Sequence, residues 1–383
     1  MRSIKNVRFP FPKKERIEKN SWCISIDEKD IIREIHSCSK PNSIKDEDWN
    51  FDWLSPRGFD LQINGGLGLD FSRLIKDDIP SLLYLLDFLW TQGVEAVCPT
   101  IVTCNKKSLR NSLEIFRIAR ELHSENRCRL LGAHLEGPFI SKKYSGAHSL
   151  DEICAPSLED LRQRISGYEE DISIFTLAPE LEGAFEVINE INKLGIIASL
   201  GHSAADYDMS LLAFDRGVKM ITHAFNAMPG IHHRSPGPVV SAISRGNISI
   251  GLIADGVHVD KHMIDLIYRL SGDNLFLVSD AISPYGLPEG KYKWDSRDII
   301  AKNGVCRLLD GTLAGVTLPL MESIKRMSLW TGDESSAIWS GTVAPRSILG
   351  ENMDLTTFYI GKSLRKLLRW SSKSNKLTWS PAQ

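Results

Sequence analysis

Ile196-Ile197-Ala198-Ser199-Leu200-Gly201-His202 and, a helix-length interval later, Val218-Lys219-Met220-Ile221-Thr222-His223 form the stretch whose reading decides the fold. Each is a short, mainly apolar run of strand length, and each is closed by a histidine. The same rhythm recurs on both sides. Strand-length runs occupy residues 58–63, 94–102, 129–135, 172–177, 196–200, 218–222, 248–253 and 274–278. Between them, residues 78–91, 107–122, 181–194 and 261–270 carry apolar side chains at helical spacing. Eight strands alternating with helices predict an α/β chain folded as a (β/α)₈, TIM-like barrel.

The polar residues then fall in telling places. Asn64, Glu136, Glu180, His202, His223, Asp255 and Asp280 each stand at or just after the end of a predicted strand. On such a barrel that rim is the active-site face. Residues 1–56 lack the alternation and hold only apolar scraps such as Trp22-Cys23-Ile24-Ser25-Ile26. Residues 351–383 contain short apolar pieces with Trp370 and Trp379. These N- and C-terminal segments are expected to meet in a small β-rich domain beside a catalytic barrel of residues 57–350.

Composition narrows the partner. The 383 residues carry 46 basic and 48 acidic side chains, a net charge of −2, so nothing favours nucleic acid or an anionic membrane surface. A small molecule is the expected partner. Cysteines 23, 38, 98, 104, 128, 154 and 306 are odd in number and contain no CxxC pair, and they read as reduced thiols rather than disulfides or zinc ligands. Lys5, Lys13, Lys14, Arg16 and Lys19 are not followed by an apolar signal core, and the apolar run 81–90 is too short to span a bilayer. A cytoplasmic location is the expectation.

Glu136 sits in Ala133-His134-Leu135-Glu136-Gly137-Pro138, where a strand meets a turn. With His202 and His223 it offers one carboxylate and two imidazoles from three strand ends, a set that can hold one ion and leave a position open for water. Any one of them alone could be a buried polar residue satisfied by a neighbour. Three at strand ends favour the metal. His134 shares the strand face of Glu136 and is expected to pack or support. Asp280, in Phe276-Leu277-Val278-Ser279-Asp280-Ala281, can take a proton from an attacking water and return it to a leaving amine, a role that adds roughly 10² to 10⁴ in rate. An aspartate there could also cap a helix, but its strand-end position favours the acid/base role.

Several motifs, in one order over about residues 56 to 350, resemble the N-acetylglucosamine-6-phosphate deacetylases of the amidohydrolase superfamily. They are Gly58-Phe59-Asp60-Leu61-Gln62-Ile63-Asn64-Gly65-Gly66, His134-Leu135-Glu136-Gly137-Pro138-Phe139, Leu177-Ala178-Pro179-Glu180, Gly201-His202-Ser203, Thr222-His223-Ala224-Phe225-Asn226-Ala227-Met228 and Leu313-Ala314-Gly315. The resemblance implies that Glu136, His202 and His223 bind one divalent metal ion per chain, zinc, and that Asp280 is the catalytic acid/base. It implies removal of acetate from N-acetyl-D-glucosamine 6-phosphate in amino sugar catabolism. Asn226, Ala227 and Arg234 are implied at the phosphate, His148 at the sugar hydroxyls or carbonyl, and His258 at the phosphate or sugar. In such enzymes the last can come from a neighbouring subunit, hence a homodimer.

Many amidohydrolases open the barrel with a His-x-His pair for a second metal. Gln62 and Asn64 stand at those positions here, and a neutral amide is a poor divalent-metal ligand. The competing readings are an amidohydrolase acting on another linear or cyclic amide, and a noncatalytic barrel that senses a sugar phosphate. Retention of all three ligand candidates and of Asp280 speaks against the sensor.

Overall fold

The computed structural model of the protein describes residues 2–13, 21–38, 47–374 and 376–383. Lys14, Arg16 and Lys19 lie outside the described residues. The chain begins with β1 (Arg2–Val7), β2 (Trp22–Ile26), β3 (Ile32–Ser37) and β4 (Glu47–Asp48), which form one sheet in the order β3-β2-β1-β4. Ile4, Ile24, Ile26 and Ile32 supply its buried side chains. Cys23 and Cys38 are joined by a disulfide, which corrects the reading of all cysteines as free thiols. Parity and the lack of a CxxC pair say nothing about two half-cystines brought together across a sheet. β5 (Trp53–Ser55) follows and leads into the barrel.

The barrel strands are β6 (Gly58–Ile63), then, after the small hairpin β7 (Gly65–Gly66) and β8 (Leu69–Asp70), β9 (Val94–Val102), β10 (Arg129–Leu130) with β11 (Ala133–Glu136), β12 (Ile172–Leu177), β13 (Ile197–Leu200), β14 (Val218–Ile221), β15 (Ser249–Leu252) and β16 (Leu275–Leu277). Neighbours pair in parallel from β6 through β9 and β11 round to β16. Closure is short: Ile63 bridges Ala281, the Asp280 N–H donates to the Gln62 carbonyl at 2.9 Å, and the Asn64 N–H donates to the Ala281 carbonyl at 2.7 Å. The predicted strand 129–135 is interrupted at Leu131-Gly132, where a side chain at Gly132 would collide with Ser173.

Helices cover the outside in chain order: α1 (Ile79–Thr91), α2 (Lys106–Glu121), α3 (Leu158–Ile165), α4 (Ala184–Lys193), α5 (Tyr207–Asp215), α6 (Gly237–Arg245) and α7 (Lys261–Ser271). In α2, Asn105 caps the first turn through Ser108 N at 2.9 Å, and Leu109, Leu113, Phe116 and Ala119 form the stripe buried against the strands. Truncating a core leucine such as Leu113 would cost about 2–5 kcal/mol.

Sequence reading missed one element. Between β16 and α8 (Leu320–Thr331), β17 (Gly290–Trp294), β18 (Arg297–Lys302), β19 (Val305–Leu308) and β20 (Leu313–Val316) build a four-stranded antiparallel sheet. It docks on the rim where Ala281 bridges Val316 and the Val316 N–H donates to the Asp280 carbonyl at 3.1 Å. The signal was present: Asn303-Gly304, both at positive φ (53° and 84°), make the hairpin turn that such pairs favour. At the end of the chain β21 (Leu368–Lys373) and β22 (Lys376–Pro381) pair with each other, and β21 pairs with β5, with Trp370 opposite Trp53. Leu364, Leu367 and Phe358 pack with Ile4, Ile24 and Leu54, so the terminal segments share one core. Among the described residues no helix is long and apolar enough to cross a membrane.

Candidate active site

Glu136 ends β11, paired with Val102 of β9 and Thr176 of β12, while His202 and His223 follow β13 and β14. All three are buried. The Glu136 Oε1 lies 2.8 Å from His223 Nε2 and 3.1 Å from His202 Nε2, and the two Nε2 atoms are 3.1 Å apart. The Nδ1 of His202 lies 2.9 Å from the Tyr144 carbonyl, which can only accept. That bond places the ring proton on Nδ1 and turns an Nε2 lone pair toward a carboxylate. Such a lone pair beside a carboxylate calls for a cation between them, and a backbone carbonyl behind a ligand histidine is a common supporting contact. The donor set fits a divalent ion.

Backbone conformation aims these groups. His202, His223 and Asp280 have φ of 49°, 30° and 49°, and Phe225 and Ala227 in the adjoining turn have 75° and 50°. Non-glycine residues rarely adopt this region, at a cost of about 1–3 kcal/mol each. It is held by the surroundings, for example by the Ser141 N–H to the His202 carbonyl at 2.8 Å and the Ser203 N–H to the Ala227 carbonyl at 3.2 Å.

Asp280 faces the cluster across two amides. Asn64 Nδ2 donates to its Oδ1 at 2.7 Å, and Gln62 Nε2 donates both to that atom at 3.2 Å and to Glu136 Oε1 at 3.1 Å. Of the residues that replace the His-x-His pair, Gln62 therefore ties the two carboxylates together as a donor, and Asn64 holds Asp280 alone. Burial, reinforced by the negative charge of Glu136, pushes the Asp280 carboxyl up to about 6. For Glu136, burial opposes ionisation, but its close contacts with His202 and His223 outweigh it and hold its pKa well below the usual range. Burial likewise opposes protonation of His223, and the bond to Glu136 overcomes it, raising the pKa.

His148 also comes close: one of its ring nitrogens groups within 4.8 Å of ligand atoms of Glu136 and His202. Its chemistry differs. The Thr103 N–H donates to His148 Nδ1 at 3.3 Å, and the Thr103 hydroxyl lies 2.8 Å from the same atom. A backbone N–H can only donate, so Nδ1 accepts and Nε2 carries the proton, 3.9 Å from Glu136 Oε2. Burial, helped by the neighbouring His202, pushes its pKa down to about 3, so the ring is a neutral donor. His223 makes the better third ligand. His134, pushed down to about 4 mainly by burial, is spent on the Leu61 carbonyl at 3.2 Å and the Thr176 hydroxyl at 2.7 Å. Its position is that of a structural support.

A cavity of about 300 Å³ opens over this cluster, lined among others by His148, Asn226, Ala227 and His258. His258 belongs to the same chain as the rest of the pocket, its Nδ1 2.6 Å from Asp255 Oδ2. Supply from a second subunit is thus not needed to bring it there. Arg234 is not brought in: it lies on an exposed turn, its guanidinium 2.9 Å from His233 Nε2. The inserted sheet contributes Trp294, Thr312, Leu313 and Ala314 to the wall, of which sequence reading had singled out only the Leu313-Ala314 pair. A second, larger cavity of about 650 Å³ adjoins it past Gly146, Ala147 and His148.

No family model matches the chain. It is 32% identical over 328 residues to the N-acetylglucosamine-6-phosphate deacetylase of Vibrio furnissii, covering 85% of this chain and 81% of that one. The chain belongs to the N-acetylglucosamine-6-phosphate deacetylase family. Within the reach of this family lies also the N-acetylgalactosamine-6-phosphate deacetylase of Escherichia coli O157:H7, 31% identical over 81% of each chain. The crystal structure of the N-acetylglucosamine-6-phosphate deacetylase from Pasteurella multocida superposes with a TM-score of 0.81 at 25% identity, covering 99% of both chains. The barrel and the sheet from the terminal segments are thus the architecture of the deacetylase family.

Proposed function

We propose that the chain hydrolyses the acetamide of N-acetyl-D-glucosamine 6-phosphate to D-glucosamine 6-phosphate and acetate. The observation that carries this is the convergence of Glu136, His202 and His223 within 3.1 Å, with Asp280 tied to them through Gln62. These three residues would hold one divalent ion, zinc in this reading, which when bound polarises the amide carbonyl and lowers the pKa of water to about 7. Asp280 takes the proton from the attacking water on its carboxylate and delivers it to the leaving nitrogen. The His148 Nε2–H donates to the acetyl carbonyl or to a sugar hydroxyl.

Asn226, the Ala227 backbone and His258 hold the sugar phosphate. Arg234 stands on an exposed turn outside its own pocket, so its part in phosphate binding is assigned to a homodimer in which this turn meets the partner's pocket. The catalytic unit is residues 57–350, with residues 1–56 and 351–383 as a small β unit. A cytoplasmic location is retained, and persistence of the Cys23–Cys38 disulfide there would be unusual.

The test is metal analysis of the purified protein together with acetate release from N-acetylglucosamine 6-phosphate, its galacto epimer and the unphosphorylated sugar. One tightly held ion per chain, lost in His202→Ala, and preference for the phosphorylated gluco substrate are expected. Preference for the galacto epimer would move the assignment to the other named activity. No acetate from either would overturn it.

A further inference from the structure

At the opposite end of the barrel, beneath the N-terminal ends of β9 and β10, lies a cavity of about 630 Å³ closed on one side by the C-terminal segment. Arg129 and Lys362 reach it from the barrel base and from the loop before β21, with Arg127, His123 and Lys366 on its rim. Its size is that of a small-molecule site. The charges around it do not balance. Glu95 is shared among Arg346, Arg129 and Lys362 and lies close enough to influence Arg57, while Glu351 pairs with Arg346 at 3.1 Å and with Arg129 at 3.4 Å. Counting Arg57 and Arg346, which lie behind the cavity and not in its wall, four cations thus share two carboxylates. The rim pairs cancel separately: Arg127 is held by Asp87 at 2.7 Å and Lys366 by Glu125 at 2.8 Å.

The excess cations also have unused donors. Arg129 Nε is buried without a hydrogen-bond partner, and the Nη2 of the same residue reaches its two carboxylates only at 3.4 Å. Lys362 Nζ rests 3.2 Å from the centre of the Phe358 ring, and no carboxylate oxygen among the described residues pairs with it. Desolvation, helped by the positive charges of Arg346 and Arg129, pushes the Lys362 ammonium down to about 8, against the pull of Glu95 and Glu351. A bound anion would stabilise the charged ammonium there. Arg129 and Lys362, the two wall cations with no carboxylate among the described residues closer than 3.4 Å, suit a phosphate group, for which guanidinium and ammonium groups are usual partners.

We propose that this basal cavity is a second anion-binding site, separate from the catalytic pocket, which takes the phosphate group of a small phosphate monoester between Arg129 and Lys362. Nothing in this assignment depends on the reaction at the other end of the barrel.

The test reads Lys362 directly. The full-length protein is labelled near pH 8 with an amine-reactive N-hydroxysuccinimide ester, and each lysine is quantified by peptide mass spectrometry. Inorganic phosphate or a hexose 6-phosphate, at ionic strength matched with sodium chloride, is expected to cut Lys362 labelling at least threefold. Lys193, exposed at the end of α4, serves as the reference that should not change. Protection by the ester alone would show that the organic part is recognised too, and protection by both that the phosphate suffices. Arg129→Gln should abolish the protection. If that variant does not fold, Lys366→Gln, whose ion pair is at the surface, should weaken it. Unchanged Lys362 labelling with both ligands, or equal protection in wild type and the folded variant, would overturn the site.

Discussion

The two ends of this barrel carry opposite electrostatic imbalances. At the mouth, Glu136 and Asp280 are held close together with an imidazole lone pair turned among them, an arrangement that lacks positive charge. At the base, arginines and a lysine crowd two glutamates, an arrangement with positive charge to spare. Strand polarity does not produce this by itself. What differs is where the chain is free to choose: loops after the strands carry the left-handed backbone that aims His202, His223 and Asp280, whereas residues at the base stand in or beside regular strands and pair where they can. Catalysis lies where strain is tolerated, while the base keeps stabilising pairs beside charge left over for a ligand.

The largest effect is expected at the mouth. Asp280→Asn should fold and keep its metal but lose at least about 10² in turnover, corresponding to about 2.7 kcal/mol or more of barrier. The acidic limb of the pH profile belongs to the same group. Its carboxyl must be ionised to accept a proton, so activity should fall as pH drops through its pKa, which is about 6 in the metal-free protein and lower beside a bound cation. A variant with near-normal turnover and an unchanged limb would return Asp280 to a structural role.

At the base the corresponding change should act on stability. Arg346 is buried and bonded to Glu95 at 2.7 Å, to Glu351 at 3.1 Å and to the Arg57 carbonyl at 3.3 Å. Arg346→Met should cost roughly 3 kcal/mol in denaturant unfolding, toward the lower end for breaking a buried pair because both carboxylates are partly exposed. Turnover lost with no loss of stability would contradict the division between the two ends.

Between the ends sits Asp60, buried under Asp280, its Oδ1 accepting from the Ser279 N–H at 3.1 Å and the Gln62 N–H at 3.2 Å. Burial pushes it up to about 7. An unfolded aspartate titrates near about 4, so the folded state holds the proton more tightly. That contribution is complete below about pH 4 and is lost as the pH rises through 7. Asp60→Asn can keep both accepted bonds, and its unfolding free energy should therefore fall less steeply between pH 5 and 8, by a kcal/mol or more. An identical slope in wild type and variant would show that Asp60 does not titrate there.

The smallest effect is expected on the outer surface. Arg162 pairs with Glu190 at 3.2 Å with its side chain 65% exposed, and Arg162→Ala should leave the melting temperature indistinguishable from wild type. A clear loss would mean that the helix surface contributes more than solvent-screened pairs usually do.

The sequence alone was enough to predict the eight barrel strands, the rim positions of Glu136, His202, His223 and Asp280, and the meeting of the two termini. These follow from short-range regularities: apolar runs of fixed length and a polar residue at the end of each. It overlooked the sheet of residues 290–316, because its lysine-rich alternation reads as solvated loop unless Asn303-Gly304 is taken as a hairpin turn. Tertiary structure alone decided the rest. Whether Cys23 meets Cys38, whether His148 offers a proton or a lone pair, whether Gln62 bridges two carboxylates, and whether Arg234 enters its own pocket all depend on groups distant in the chain. Hydrogen bonds and charge balance are properties of neighbours in space, and residue order alone does not say which residues become neighbours across a closed barrel.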